Sequence, residues 1–147
     1  MKLLKKIILP VLICVTTIVS GQQKLGLNAQ RTYDVTPADY GLVFDTLRIS
    51  TDDGASLFGW HLYPGEKNDK SSKKSVIISH DGNMNMANSL EQAGKFLGLG
   101  YHVFMYDYRG FGKSSDFNVS PKFYIYQQFA TDLTAVIEYV KKYHALF

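Results

Sequence analysis

The sequence predicts an α/β protein in which an antiparallel hairpin is followed by a parallel strand, helix, strand unit. Three observations predict it. Ser75 to Ser79 and Tyr101 to Tyr106 are short apolar runs with β-branched or aromatic residues, the composition of strands buried on both faces. Between them Met86, Leu90, Ala93 and Leu97 recur at spacings of four, three and four, one stripe of a helix. Upstream, two half-alternating runs flank Asp52-Asp53-Gly54, a turn signal because glycine accepts positive φ without steric cost.

At the start of the chain, Met1 to Gly21 has lysines at 2, 5 and 6, an apolar stretch from Ile7 to Val19, and then Val19-Ser20-Gly21, small enough at its first and last positions for signal peptidase. That is the form of a secretory signal peptide, and it predicts export to a periplasm or the medium. The apolar run is shorter than the roughly 20 residues that cross a bilayer, so a membrane role enters only if the segment stays uncleaved as an anchor. Cys14 is the single cysteine and lies inside this segment, which leaves about 126 mature residues without disulfide or thiolate chemistry. A lipoprotein signal would need a small residue before Cys14, where Ile13 stands. The formal charge of +3 also belongs to this segment, since residues 22 to 147 hold 13 basic and 13 acidic residues. No basic patch with interleaved aromatics argues for nucleic acid.

Residues 22 to 41 are weakly patterned and read as a leader, draped over the sheet or partly disordered. Residues 42 to 147 then form one domain without internal repeats. Leu42 to Thr51 and Ala55 to Tyr63 are the hairpin strands. Val43, Asp45, Leu47 and Ile49 share one face of the first; Leu57, Gly59, His61 and Tyr63 alternate with Phe58, Trp60 and Leu62 in the second. Lys67 to Lys74 is a polar, low-complexity loop. Asn83, Asn85 or Asn88 could cap the helix that follows, and Gly98 and Gly100 supply its stop. Ser120 and Pro121 open a second crossover helix, carried by Phe129, Leu133, Val136 or Ile137, and Val140.

Two parallel strands joined by a helix place their working loops at the strands' carboxyl ends. Those loops are His80 to Asn85 and Asp107 to Ser115. The second reads Asp107, Arg109, Gly110, Gly112, Ser114 in the pattern Asp-x-Arg-Gly-x-Gly-x-Ser; the first reads His80-Asp81-Gly82-Asn83. Together they resemble the α/β-hydrolase family of esterases, lipases and serine aminopeptidase-like enzymes, whose third strand ends in a His-Gly-Asn type loop and whose fourth ends in the pattern just given. Asp53-Gly54, Gly59-Trp60 and Pro64-Gly65 match the opening hairpin of that family in the same order. The likeness departs at Asp81, where the family usually has the first glycine.

The resemblance implies a serine hydrolase acting on an ester, thioester or amide of a small-molecule acyl substrate, without cofactor. It implies that the loop His80, Asp81, Gly82, Asn83 is the oxyanion loop, with the donor N–H at Gly82 or its neighbour Asn83. His80 would brace that loop rather than act as base, and Asp107 and Arg109 would form a bracing ion pair behind the site. A carboxylate at Asp81 opposes an oxyanion unless it points away or is neutralised. The resemblance also implies a fifth strand and a Gly-x-Ser-x-Gly elbow downstream. No serine here fits that elbow: Ser114 has Gly112 two before it but Asp116 two after it. The sequence therefore reads as the amino-terminal portion of such an enzyme, cut by an incomplete gene model or a stopped reading frame. It is expected to be inactive alone, with the Ser75 to Ser79 strand left as an edge.

Other chemistries fit less well. His61, His102 and His144 have no metal spacing, and no metal is expected. Gly112-Lys113-Ser114 fails as a phosphate loop, because Asp107 occupies the place of its first glycine. A dinucleotide fingerprint is absent, since only Gly82 follows the first parallel strand. The remaining rival is a non-catalytic α/β module that pairs with a partner through its open edge.

Overall fold

A computed structural model describes residues 27–67, 74–117 and 126–143. Two short strands, β1 (Asn28–Ala29) and β5 (Asn83–Met84), pair in parallel. The main sheet contains β2 (Phe44–Ser50), β3 (Ser56–Leu62), β4 (Ser75–Ser79) and β6 (His102–Tyr106), in the order β2-β3-β6-β4. Two helices accompany it, α1 (Leu90–Gly98) and α2 (Tyr126–Tyr143).

The hairpin forms as expected, antiparallel from Phe44 against Leu62 to Ser50 against Ser56, with Gly54 at φ 87° in its turn. β4 and β6 pair in parallel from Ser75 against His102 to Ser79 against Tyr106, and α1 lies in their crossover. The sheet is buried on both sides. Phe58, Trp60, Leu62, Ile78, Val103 and Met105 pack with Met86, Leu90, Ala93 and Leu97 on the α1 side. Leu47, Ile49, Leu57, Phe104 and Tyr106 pack with Val136 and Val140 of α2 on the other. This explains why β3 and β6 read as near-continuous apolar runs, whereas β2 alternates.

Of the three candidate caps, Asn85 serves: its side chain accepts from the Ala87 N–H at 3.1 Å, starting a 3-10 turn over Met86–Ser89 that runs into α1. Gly98 is the last helical residue, and Gly100 supplies the left-handed conformation that ends the turn, at φ 82°. The signal segment, Ser120-Pro121, His144 and most of the Lys67 to Lys74 loop lie outside the described residues. Among the described residues β4 is a sheet edge, and Val76 and Ile77 are half-buried rather than buried on both faces as the composition suggested, because β4 has a strand neighbour on one side only.

Candidate active site

The loops leaving β4 and β6 lie side by side because their strands are parallel neighbours. The β6 loop is folded back onto the hairpin. Asp107 N–H donates to the Phe58 carbonyl at 2.9 Å and Ser115 N–H to the Ser56 carbonyl at 2.8 Å. Between these points the buried Ser114 hydroxyl accepts from the Phe58 N–H at 2.8 Å and donates to the Asp107 carbonyl at 2.7 Å. The hydroxyl donates within its own loop and accepts from β3, so Ser114 is a structural tie here.

Asp107 and Arg109 do not pair with each other, contrary to the sequence expectation. The chain turns sharply after β6, and the two side chains leave toward opposite faces of the sheet. Asp107, fully buried, accepts from the Met86 N–H at 2.8 Å and from the Tyr33 hydroxyl. Burial pushes its carboxyl up from the ordinary carboxylate range, and these donors oppose that shift. The Tyr33 hydroxyl is raised well above its usual range by burial and by the Asp107 charge, so it keeps its proton and donates. Arg109 lies on the α2 side. Its guanidinium meets Asp53 in a two-pronged contact at 2.6 and 2.8 Å and Asp132 at 2.7 and 2.9 Å. The Arg109 N–H also donates to Asp132, at 2.9 Å. The guanidinium holds the Asp53 carboxyl down at about 2. Asp132 is fully buried on α2; burial pushes its carboxyl up while the Arg109 donors pull it back. The three residues rivet the hairpin turn, the β6 loop and α2 together.

The β4 loop is held differently. The Gly82 N–H donates to His80 Nδ1 at 3.2 Å and the Asn83 N–H to Asp81 Oδ1 at 2.9 Å. Both N–H groups singled out by the sequence therefore have acceptors from their own loop. His80 is buried between the rings of Tyr108 and Phe111, at centroid distances of 5.0 and 4.8 Å, and burial lowers its pKa to about 4. A neutral imidazole accepts at one nitrogen only. Because Nδ1 accepts from Gly82, Nε2 carries the proton, and the Tyr108 N–H 3.5 Å away is a neighbour rather than a donor. Asp81 is exposed, with a carboxylate oxygen turned back onto Asn83. Met84 sits at φ 63°, a conformation uncommon for a side chain of its size.

The leader crosses both loops. Asn28 N–H donates to the Gly82 carbonyl at 3.1 Å and Gln30 N–H to the Met84 carbonyl at 2.9 Å. Gly112 N–H donates to the Gln30 carbonyl at 2.9 Å, and the Asn85 side chain donates to the Thr32 carbonyl at 2.6 Å. Arg31 donates to the Phe111 carbonyl at 3.3 Å and pairs with Asp116 at 3.1 Å, across an exposed surface. Gly112, at φ 45°, is obligatory: a Cβ there would overlap the Asp107 carboxylate and the Tyr33 hydroxyl. Gly110, at φ 84°, similarly faces the Phe117 ring.

The roles of three residues of this assembly, Tyr33, Asp53 and Asp132, were not read from the sequence. Asp53 is visible in sequence as part of the hairpin turn and of the Asp-Gly mark of the family's hairpin, but not as a partner of Arg109. Asp132 carries a usable signal, since it falls on the apolar line of α2 four residues before Val136 and eight before Val140. Tyr33 has none. Among the described residues no group of three or more His, Cys, Asp or Glu side chains is placed to hold a metal ion.

A sheet of this order, with two tip loops of this kind, is part of an α/β-hydrolase fold. The chain belongs to the family described as serine aminopeptidase, S33 (Hydrolase_4), which matches residues 70–146. It is similar to an uncharacterised protein of Bacillus subtilis (strain 168), YqkD, at 35% identity over 71 residues, covering 48% of this chain and 22% of that protein. Among solved structures it is similar to an esterase of Pyrococcus furiosus, at 25% identity and a TM-score of 0.65, covering 82% of this chain and 42% of that one. An esterase of Exiguobacterium antarcticum aligns at 26% identity and a TM-score of 0.53, over 66% of this chain and 32% of the other. The chain thus spans less than half the length of these relatives.

Proposed function

We propose that this chain is the amino-terminal part of an exported serine hydrolase that cleaves an ester, thioester or amide through an acyl-enzyme. In this reading it contributes the oxyanion side of the site, and the nucleophile, acid and catalytic histidine come from sequence beyond Phe147. The observation that carries the reading is the state of Gly82. Its N–H lies just beyond the tip of a parallel strand and donates to a neutral ring nitrogen across 3.2 Å. Such a bond exchanges readily for a charged acceptor, because hydrogen bonds to ionised groups are roughly twice as strong as neutral ones. An oxyanion arising there would take the donor from His80. The esterase relatives support the choice of acyl chemistry.

One obvious variant cannot test this. Proline at Gly82 would delete the N–H, but proline requires φ near −65° and Gly82 stands at 83°, so the loop itself would rearrange. Replacing Gly82 by glycolate in the longer protein converts the amide to an ester and removes the N–H without adding a side chain. Turnover of a p-nitrophenyl ester should fall by about 2.7 to 4 kcal/mol of transition-state stabilisation with KM little changed. An equal loss in both, or none, overturns the assignment. The wider reading is tested by labelling with a serine-directed phosphonate. The protein extended downstream should label at a Gly-x-Ser-x-Gly serine within about thirty residues of Phe147, and the 147-residue chain should not.

The open edge of β4 favours a second reading, a non-catalytic module that binds a partner strand. A clean stop after Phe147, with soluble expression and no phosphonate uptake, supports that module against the hydrolase.

A further inference from the structure

His61 and His102 are buried, at 2% and 7% exposure, far from the candidate site and in no role described above. His102 is the first residue of β6 and Tyr106, beside the site, is the last. His61 Nε2 and His102 Nδ1 approach to 3.0 Å. The two rings are clamped: His61 stacks on Phe104 at 4.2 Å and 14°, and Tyr63 packs against both imidazoles, at 4.1 and 5.6 Å. At 3.0 Å the space between two ring nitrogens holds one hydrogen, donated by one ring and accepted by the other. Two imidazolium rings would place two there.

We infer that His61 and His102 form a proton-limited joint: folded, the pair takes up at most one proton, whereas the unfolded chain takes two, so acid loosens this end of the sheet. The surroundings agree. Asp45 on β2 lies directly opposite His61 in the strand register and favours a first proton on the pair. Asp45 is itself bonded to the Tyr63 hydroxyl at 2.8 Å and to Lys67, so its charge is already shared. From β4, Ser75 is the register neighbour of His102, and Lys74 offers its carbonyl to the His102 N–H at 2.9 Å. From α2 the nearby titratable group is Tyr139, which acts on Tyr63 and stays neutral in this range.

The sign follows from proton counting. Well below the ordinary imidazole value of about 6.5 the unfolded chain holds two protons on these rings and the folded pair at most one, so stability falls as pH falls through this range. The test compares the full-length protein with the double variant His61→Gln/His102→Asn. Gln places a donor nitrogen near the position of Nε2 and Asn an oxygen near that of Nδ1, which keeps a contact that does not titrate. Urea unfolding is measured from pH 7.5 to 5. Between pH 6.5 and 5 the unfolding constant of the native protein should rise roughly tenfold more than that of the variant. Parallel pH dependences overturn the proposal. If the variant does not fold, nitrogen-15 NMR of the native imidazoles decides. At pH 5.5 one contact nitrogen should remain unprotonated, and two complete imidazolium rings in an intact fold refute the joint.

Discussion

The two tip loops of this sheet are neighbours in space and opposites in construction. The β6 loop is tied by a fully buried aspartate, a buried arginine between two carboxylates, and two serines hooked to β3. The β4 loop is tied by its own short side chains and by the edge of the leader, with Asp81 and Asn83 exposed. One loop is frame; the other holds the Gly82 N–H on a neutral ring at 3.2 Å and the Asn83 N–H on an exposed carboxylate at 2.9 Å. If the β4 loop binds developing charge, as proposed, it gains from a donor held by a neutral acceptor, and the β6 loop beneath it gains from ties that do not exchange.

The sharpest way to break this contrast is to remove one partner from the buried rivet. Arg109→Ala leaves Asp132 as an uncompensated charge, and the loss of a partner from a buried pair costs about 3 to 5 kcal/mol. Asp81→Ala, on the neighbouring loop, should change stability by less than about 0.5 kcal/mol. Urea unfolding of the two variants measures the difference. Comparable losses would show that the loops are equally structural.

Glycine substitutions give the same contrast at smaller scale. Both Gly112→Ala and Gly82→Ala place a side chain at positive φ, a strain of roughly 1 to 2 kcal/mol. At Gly112 the new methyl also meets the Asp107 carboxylate, which cannot move without releasing Met86. At Gly82 it meets only the end of the Leu27 side chain, 2.8 Å away, which can turn aside. Gly112→Ala should therefore lower the melting temperature distinctly more than Gly82→Ala.

Tyr33→Phe asks how far the leader contributes to the frame. It removes one donor from buried Asp107 and should cost about 1 to 3 kcal/mol, the penalty for leaving a buried acceptor short of a partner. A change below about 0.5 kcal/mol, within the surface-substitution range, would make the leader a covering rather than a brace.

These side-chain ties divide what was legible in the sequence from what was not. The strands, the crossover helix and the hairpin turn were legible because burial on a periodic element leaves a local pattern: Val76 to Ile78, the stripe from Met86 to Leu97, and Asp52-Asp53-Gly54. The β6 loop was legible as a motif, but not the destinations of its side chains. Arg109 reaches Asp53 across 56 positions and Asp107 reaches Tyr33 across 74, separations at which no periodicity survives. The expectation of an Asp107–Arg109 pair failed for the same reason: opposite charges two residues apart look like partners until the turn after β6 sends them to different faces. The candidate oxyanion donors were named from resemblance, yet their occupancy by His80 and Asp81 depends on backbone torsions at Gly82 and Asn83 that residue type alone does not fix.

His80 offers the finest test of how the exchangeable loop is held, because its effect vanishes at neutral pH. Burial sets its folded pKa near 4, against 6.5 for an ordinary imidazole. Between these values the unfolded chain binds a proton that the folded ring refuses, so stability is whole above 6.5 and declines as pH falls toward 4. One pH unit below 6.5 the decline attributable to His80 approaches 1.4 kcal/mol. Protonation would also place a hydrogen on Nδ1, the atom that accepts from Gly82, so the N–H would be released. The imidazole Cε1–H resonance of His80 should accordingly titrate near 4, and the Gly82 amide should lose hydrogen-exchange protection over the same range. A His80 midpoint near 6.5 would mean that the ring is an ordinary surface imidazole, and the distinction between a locked loop and an exchangeable one would lose its anchor.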